Sequence, residues 1–214
     1  MAGPDATGAT FDRATLSFYA AEAPVYTAGG AGGISRHLAA FADRLPPGAR
    51  ILELGCGGGI DADYLLGRGF DVDATDGVAE IATQAAARLG GRVRVLRFDE
   101  LDADRDYDAV LASASLLHVP RPGLPDILRR IWRALRPGGW HLASYKGGGR
   151  EGRDRFGRYF NYLSATEAEA FYRQVGAWQA LDIAEGLGGG YDGVQGPWIR
   201  VVARKAMETS DARR

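Results

Sequence analysis

Between Ala49 and Ile60 the chain reads Ala-Arg-Ile-Leu-Glu-Leu-Gly-Cys-Gly-Gly-Gly-Ile, and few folds accept such a run. Ile51, Leu52 and Leu54 form a short apolar stretch, the mark of a buried strand. It stops at a glycine turn, and a segment of helical character, Asp61 to Arg68, follows directly. Glycine lets the backbone turn sharply and approach a ligand where a Cβ would clash. Such a turn leaves free N–H groups at a helix N-terminus, where polar ligand groups are held. Strand, glycine turn and helix in that order predict a nucleotide-type cofactor site.

Two acids narrow the nucleotide. Glu53 precedes Gly55 with one residue between them, where a dinucleotide-binding turn would bring in a pyrophosphate. A carboxylate there repels a diphosphate and suits a ligand that carries an ammonium group. Asp76 lies 23 residues after Glu53, at the end of the apolar stretch Phe70-Asp-Val-Asp-Ala-Thr75. An acid roughly 20 residues past the turn accepts ribose hydroxyls in such folds. The dinucleotide spacing G-x-G-x-x-G fails from Gly55, because Ile60 takes its last place. Gly57-x-Gly59-x-x-Ala62 matches it, but that frame begins too far past the strand end.

Five stretches taken in order resemble the class I S-adenosylmethionine-dependent methyltransferases. Glu53-Leu-Gly-Cys-Gly-Gly-Gly59 is similar to the family's first motif, and Asp76-Gly77 stands where its ribose-binding acid stands. Phe98-Asp99, with Glu100 behind it, resembles the adenine-contacting position after the third strand. Tyr107-Asp-Ala-Val-Leu111 resembles the fourth strand, and Leu135-Arg-Pro-Gly-Gly-Trp140 the turn into the fifth. The resemblance covers residues 49–146. It implies a three-layer α/β/α sandwich around a Rossmann-like, mostly parallel seven-stranded sheet, with one antiparallel strand near the C-terminus. It implies S-adenosyl-L-methionine as cofactor and S-adenosyl-L-homocysteine as product. The cofactor residues it implies are Glu53, Gly55, Cys56, Gly57, Asp76, Gly77, Phe98, Asp99, Glu100 and Ser113. Cys56 has no chemical role in that scheme. Tyr19 and Tyr26, in the N-terminal helical segment, are expected either to cap the methionine end of the cofactor or to pack on the sheet edge.

Composition bounds the remainder. A chain of 214 residues is long enough for one large domain that buries most of its apolar surface. The predicted division is an N-terminal helical cap over 1–45, a cofactor-binding domain over 46–205 and a loose tail over 206–214. A net charge of −1 gives no global field for nucleic acid or a membrane surface. The single cysteine fits a reducing compartment, and the expected location is cytoplasmic. No 18-residue apolar run predicts a membrane span, and the first residues lack signal-peptide character. Three scattered histidines and one cysteine do not make a structural zinc site, and no metal is expected. No G-x-S-x-G elbow marks a serine hydrolase.

Apolar and glycine punctuation predicts strands near 50–54, 71–75, 92–97, 107–112 and 139–145, with helices near 60–67, 78–89 and 122–134 between them. That alternation argues for a parallel sheet with helices on both faces. A helix near 164–176 and two strands near 179–185 and 197–204 complete it. Residues 11–45 read as helix in two pieces, broken around Thr27-Ala-Gly-Gly-Ala-Gly-Gly33.

The methyl acceptor is expected to be a small molecule. His118 follows the fourth strand, where methyltransferases place acceptor-facing residues, and its ordinary pKa near neutrality suits a base. Packing of the next helix is the competing role. The stretch Lys146–Leu163 reads as an irregular loop whose Arg155, Arg158, Tyr159 and Tyr162 either grip an anionic or planar acceptor or form a solvated connector. A long loop over residues 186–197 is expected beside it. His37 and His141 read as structural, in an early helix and in a strand. Three other functions remain open at this stage: methyl transfer to tRNA or protein, with the Arg150–Arg158 stretch as contact surface; a binding module without catalysis; and a nicotinamide-dependent oxidoreductase, against which Glu53 argues.

Overall fold

The apolar run at the glycine turn forms the strand Arg50–Leu54 (β1), and it lies in the middle of the sheet. In a computed structural model describing residues 9–28, 33–91 and 93–208, β1 pairs in parallel with Asp71–Asp76 (β2) on one side and Tyr107–Ala112 (β4) on the other. Val93–Val95 (β3) closes one edge. Leu135–Lys146 (β5) continues the parallel array beyond β4. Trp178–Gly188 (β8) and Gly196–Lys205 (β9) finish the sheet, which has seven strands in the order β3-β2-β1-β4-β5-β9-β8. Only β9 runs against its neighbours, as expected.

Strand β1 is buried on both faces because helices cover both. On one side Leu124–Ala134 (α5) and Ala165–Val175 (α6) pack on the sheet. Leu124, Ile127, Leu128, Ile131 and Ala134 recur at helical spacing and are all buried. Ser164 caps α6: its Oγ accepts the Glu167 N–H at 3.2 Å, while the Glu167 carboxylate accepts the Ser164 N–H at 2.8 Å. The other face carries Leu38–Ala42 (α2) and Ile60–Gly67 (α3). Arg13–Ala28 (α1) lies instead over the start of Ala79–Arg88 (α4), where Leu16, Tyr19, Ala20 and Tyr26 pack against Val78 and Ile81.

Three expectations change. The stretch Lys146–Leu163 is not irregular throughout: Gly152–Arg153 (β6) pairs with Tyr159–Phe160 (β7) in a small hairpin. Asp154 folds that hairpin's turn, accepting the backbone N–H groups of Phe156 and Arg158, each at 3.0 Å. The 186–197 loop shrinks to residues 189–195, because β8 and β9 extend further and pair as far as Gly188 and Gly196. His37 precedes α2 rather than lying within it. Of the expected loose tail over 206–214, residues 209–214 lie outside the described residues, as do residues 29–32 of the expected break.

His141, in β5, is buried at the sheet–α6 interface. Its Nδ1 meets the Val110 carbonyl at 2.9 Å, so that nitrogen carries the proton and Nε2 accepts from the Tyr172 hydroxyl at 2.9 Å. Tyr145 lies 3.1 Å from the same hydroxyl. Tyr172→Phe leaves Nε2 buried without a donor, which costs about 1–3 kcal/mol. The expected outcome is a thermal midpoint lowered by about 3–10 °C. An unchanged midpoint in a calorimetric scan would remove this network from the core.

Candidate functional site

The glycine turn hangs from the end of β1 by its own backbone. The N–H groups of Gly55 and Cys56 both donate to the Thr75 carbonyl, at 2.9 and 2.8 Å, which ties the turn to β2. Gly55 has φ +76°, and a Cβ on it would sit 2.6 Å from Cβ of Ser115. Gly57 has φ +54° and passes beside the ring of Tyr26. Both positions therefore need glycine, one for conformation and space, the other for conformation. Ser115 is fixed in turn by donating its hydroxyl to the Leu54 carbonyl at 2.7 Å.

Over this turn opens a cavity. Gly55, Gly57, Asp76, Gly77, Arg97, Phe98, Ser115 and His118 line it. Helix α1 roofs it with Thr15, Leu16, Tyr19 and Tyr26. The two tyrosines meet edge to face, with ring centroids 4.9 Å apart. The sequence therefore brings Gly55, Gly57, Asp76, Gly77, Phe98, Tyr19, Tyr26 and His118 around one space.

Asp76 is the cavity carboxylate nearest the glycine turn, and Asp12 also lines the space. Its Oδ2 accepts the Gly57 N–H at 3.1 Å and its Oδ1 the Val78 N–H at 2.9 Å. Each oxygen keeps a lone pair for a further donor. Burial raises the carboxyl to about 6, against which the two backbone bonds pull down. Glu53 lies behind the turn, outside the cavity lining. It accepts the Ala62 N–H, its Oε2 has no hydrogen-bond partner, and burial beside Asp61 and Asp76 pushes it well above the carboxylate range. Cys56 is also buried away from the cavity, and burial near Glu53 raises its thiol.

Other predicted residues sit elsewhere. Asp99 and Glu100 are turned to Arg97: Asp99 accepts from its Nε at 3.0 Å, and Glu100 from its backbone N–H at 2.9 Å. Ser113 points to the opposite side of the β4 end, where its Oγ lies 2.6 Å from that of Ser35, and it lines a separate cleft with Ser144 and Arg200. Ser115, two residues on, takes the place by the turn that Ser113 was expected to hold. The reason is local: Ala114 adopts φ +50°, which reverses the chain between the two serines.

The 147–163 segment stands behind the cavity wall rather than in it. Arg158 is buried; its Nε and Nη2 donate to Asp154 at 3.0 and 2.7 Å, and its Nη1 donates to the Tyr19 hydroxyl at 2.9 Å. Five aromatic rings lie within 5.5 Å of its guanidinium carbon: Phe18, Tyr19, Phe156, Phe160 and Tyr191. Arg155 is exposed and donates to the Asp192 carbonyl at 3.0 Å. Tyr159 donates to the Glu151 carboxylate, and Tyr162 stacks on Phe160. His118 places Nδ1 2.7 Å from the Tyr159 carbonyl and Nε2 2.9 Å from the Tyr19 hydroxyl. Burial holds His118 down at about 4, so it is neutral near pH 7.

The residues missed by sequence reasoning are chiefly Thr15, Leu16, Arg97 and Ser115. A signal for the roof was present: Thr15, Tyr19, Ala23 and Tyr26 recur along one face of a helix.

With this geometry in view, residues 51–139 match the model of a family described as methyltransferase domain. The matched segment runs from β1 into β5, and the sheet order is that of the Rossmann-like fold the sequence resemblance implied. Among curated proteins it is similar to a ubiquinone biosynthesis O-methyltransferase of Xanthomonas oryzae pv. oryzae, 37% identical over 101 residues, covering 43% of this chain and 41% of that enzyme. The corresponding enzyme of Rickettsia conorii is 32% identical over 99 residues, covering 44% of this chain and 34% of its own length. The chain thus spans about two fifths or less of these relatives. Among solved structures it is similar in fold to the 1,6-didemethyltoxoflavin-N1-methyltransferase of Burkholderia thailandensis, with TM-score 0.72, 22% identity, and 96% and 93% of the two chains covered.

Replacing Gly55 by alanine forces a left-handed backbone on a residue with a Cβ and drives that Cβ into Ser115. The expected cost is at least about 1–3 kcal/mol. Urea unfolding measures it, and a midpoint equal to that of the parent chain would contradict the close approach.

Proposed function

We propose that this chain transfers a methyl group from S-adenosyl-L-methionine to a small-molecule acceptor. The observation that carries the reading is the placement of Asp76 beside the glycine turn, in a cavity that Tyr19, Tyr26 and Phe98 also line. The free lone pairs of Asp76 suit the two hydroxyls of a ribose, and Phe98 with Arg97 offers a flat surface beside it for a base. The cradle at Gly57, which a side chain would fill against Tyr26, suits close approach of the cofactor to the backbone. Tyr19 and Tyr26 close the space from above and exclude water, which favours alignment of two reactants in a dry site.

When bound, S-adenosylmethionine supplies a methyl group on a positively charged sulfur. The protein's own part is to bind, orient and exclude water. His118 is a poor proton acceptor, since it is held neutral and both ring nitrogens are engaged. A base is needed only where the acceptor is not already a good nucleophile.

Two observations weigh against an RNA or protein substrate. The chain has a net charge of −1, and Arg153, Arg155 and Arg158 are all held by internal partners. The dinucleotide reading is disfavoured by the spacing of the turn, because Ile60 takes the place of the last glycine of G-x-G-x-x-G.

Titration calorimetry with S-adenosylmethionine, S-adenosylhomocysteine and NAD tests the cofactor. Binding of the first two and not of NAD is expected; the reverse would refute the reading. Binding without turnover of any acceptor would point to a module that holds the cofactor and transfers nothing. Asp76→Ala is expected to weaken S-adenosylhomocysteine binding at least about tenfold, since a charged hydrogen bond contributes about 1.5–3 kcal/mol.

The same carboxyl gives a pH signature. Its folded value, about 6, lies above the ordinary 3.8, so the folded chain holds that proton more tightly than the unfolded one. Its contribution to stability is full below the ordinary value and is lost as pH rises through about 6. Ribose hydroxyls need the ionised form, so affinity runs the other way. Binding of S-adenosylhomocysteine should weaken about tenfold between pH 7 and pH 5, and Asp76→Asn should remove most of that dependence. A flat profile in the parent chain would separate Asp76 from the ligand.

A further inference from the structure

Tyr19 has every hydrogen-bonding valence but one accounted for. The Tyr159 carbonyl only accepts, so Nδ1 of His118 must carry the ring proton and Nε2 must be bare. The Tyr19 hydroxyl, 2.9 Å from that bare nitrogen, therefore donates to it. Arg158 Nη1 has only protons to give and fills one lone pair of the same oxygen at 2.9 Å. One lone pair remains, on a side chain that lines the cavity above the glycine turn.

The oxygen cannot rotate to offer a proton instead. Arg158 is locked by three contacts from its guanidinium and backbone to the carboxylate of Asp154, and the pair is all but removed from solvent, with side chains 2% and 6% exposed. Aromatic rings surround it on the remaining sides. A positive imidazole at His118 is disfavoured by burial and by Arg158 and Lys146, which together outweigh the pull of the Tyr159 carbonyl and of Asp154.

Resting on the methyl-transfer reading, we propose that Tyr19 is the specificity-determining residue of the acceptor site. It selects acceptors that carry an N–H or O–H donor beside the nucleophilic atom, and Arg158 is the positioning residue that fixes its polarity. Tyr19 binds and orients the acceptor and takes no proton from it. The role expected for Arg158 is thereby moved one step back from the acceptor, His118 takes the Tyr19 proton rather than the acceptor's, and Tyr19 moves from a cap over the cofactor to the wall that meets the acceptor.

Nitrogen-15 NMR of the histidine rings tests the polarity without any substrate, with the His118 signal assigned by comparison with His118→Gln. The expected result is a neutral, Nδ1-protonated His118 from pH 5.5 to 8, a window set above its lowered pKa. Arg158→Lys should lose that uniform signature while the other two histidines keep theirs. An Nε2-protonated or charged His118 in the parent chain overturns the proposal.

Turnover of paired acceptors tests the selection: 2-aminophenol against phenol, and 2-aminothiophenol against thiophenol, with S-adenosylhomocysteine release as readout. The donor-bearing member of each pair should show kcat/KM at least about threefold higher. Tyr19→Phe should abolish the difference and still bind S-adenosylhomocysteine. Equal turnover within pairs, or no turnover of any member by a chain that binds the cofactor, overturns the acceptor class named here and leaves the cofactor reading standing. A parent chain that does not bind S-adenosylhomocysteine removes both.

Discussion

Asp76 is the joint on which the site depends. One carboxylate oxygen takes the N–H of Gly57 and the other that of Val78, so a single side chain fixes the glycine turn after β1 to the start of α4. Both bonds are to backbone, and burial makes them matter: an unpaired N–H at either place would cost free energy comparable to a lost hydrogen bond. The raised carboxyl records the other side of that arrangement, because the charge is kept out of water. The floor of the cavity is therefore assembled by the same group that would meet the ligand. Structure and recognition are not separable at this residue.

The walls follow a different logic. Tyr19, His118, Arg158 and Asp154 form a chain of bonds running from the cavity to a buried ion pair. Taking such a pair out of water is expensive and is offset only where the remaining protons find partners. Here they do: Arg158 reaches Tyr19, and the aromatic rings around it supply further attraction for the cation. A surface loop would have no use for that arrangement.

How much was legible in the sequence depends on the range of the forces involved. The β1 turn and Asp76 could be read because an apolar run, a glycine cluster and an acid at the next strand end are all local signals. The sheet order could be read because alternating strands and helices leave few topologies. The chemistry of Arg158 could not. Four arginines among aromatics read equally as a grip on a substrate or as a solvated face, and only the fold places Asp154 and five rings around one of them. Ser113 was taken for Ser115 because nothing local announces that Ala114 turns left-handed. The long 186–197 loop was a misreading of glycine: Gly186 and Gly188 sit inside a paired strand, where glycines are uncommon.

The roof over the cavity is stitched from parts of the chain that are far apart. Tyr19 meets Arg158 across 139 residues, Asp12 meets Arg153 across 141, and Thr15 meets the Tyr159 backbone across 144. Contacts of such separation are costly to close while the chain between them is still disordered. They become affordable once the central strands have paired and brought both ends near. The cavity is therefore closed by long-range contacts that the sheet itself does not supply, and without α1 the glycine turn and Asp76 would stand as an open, solvated shelf.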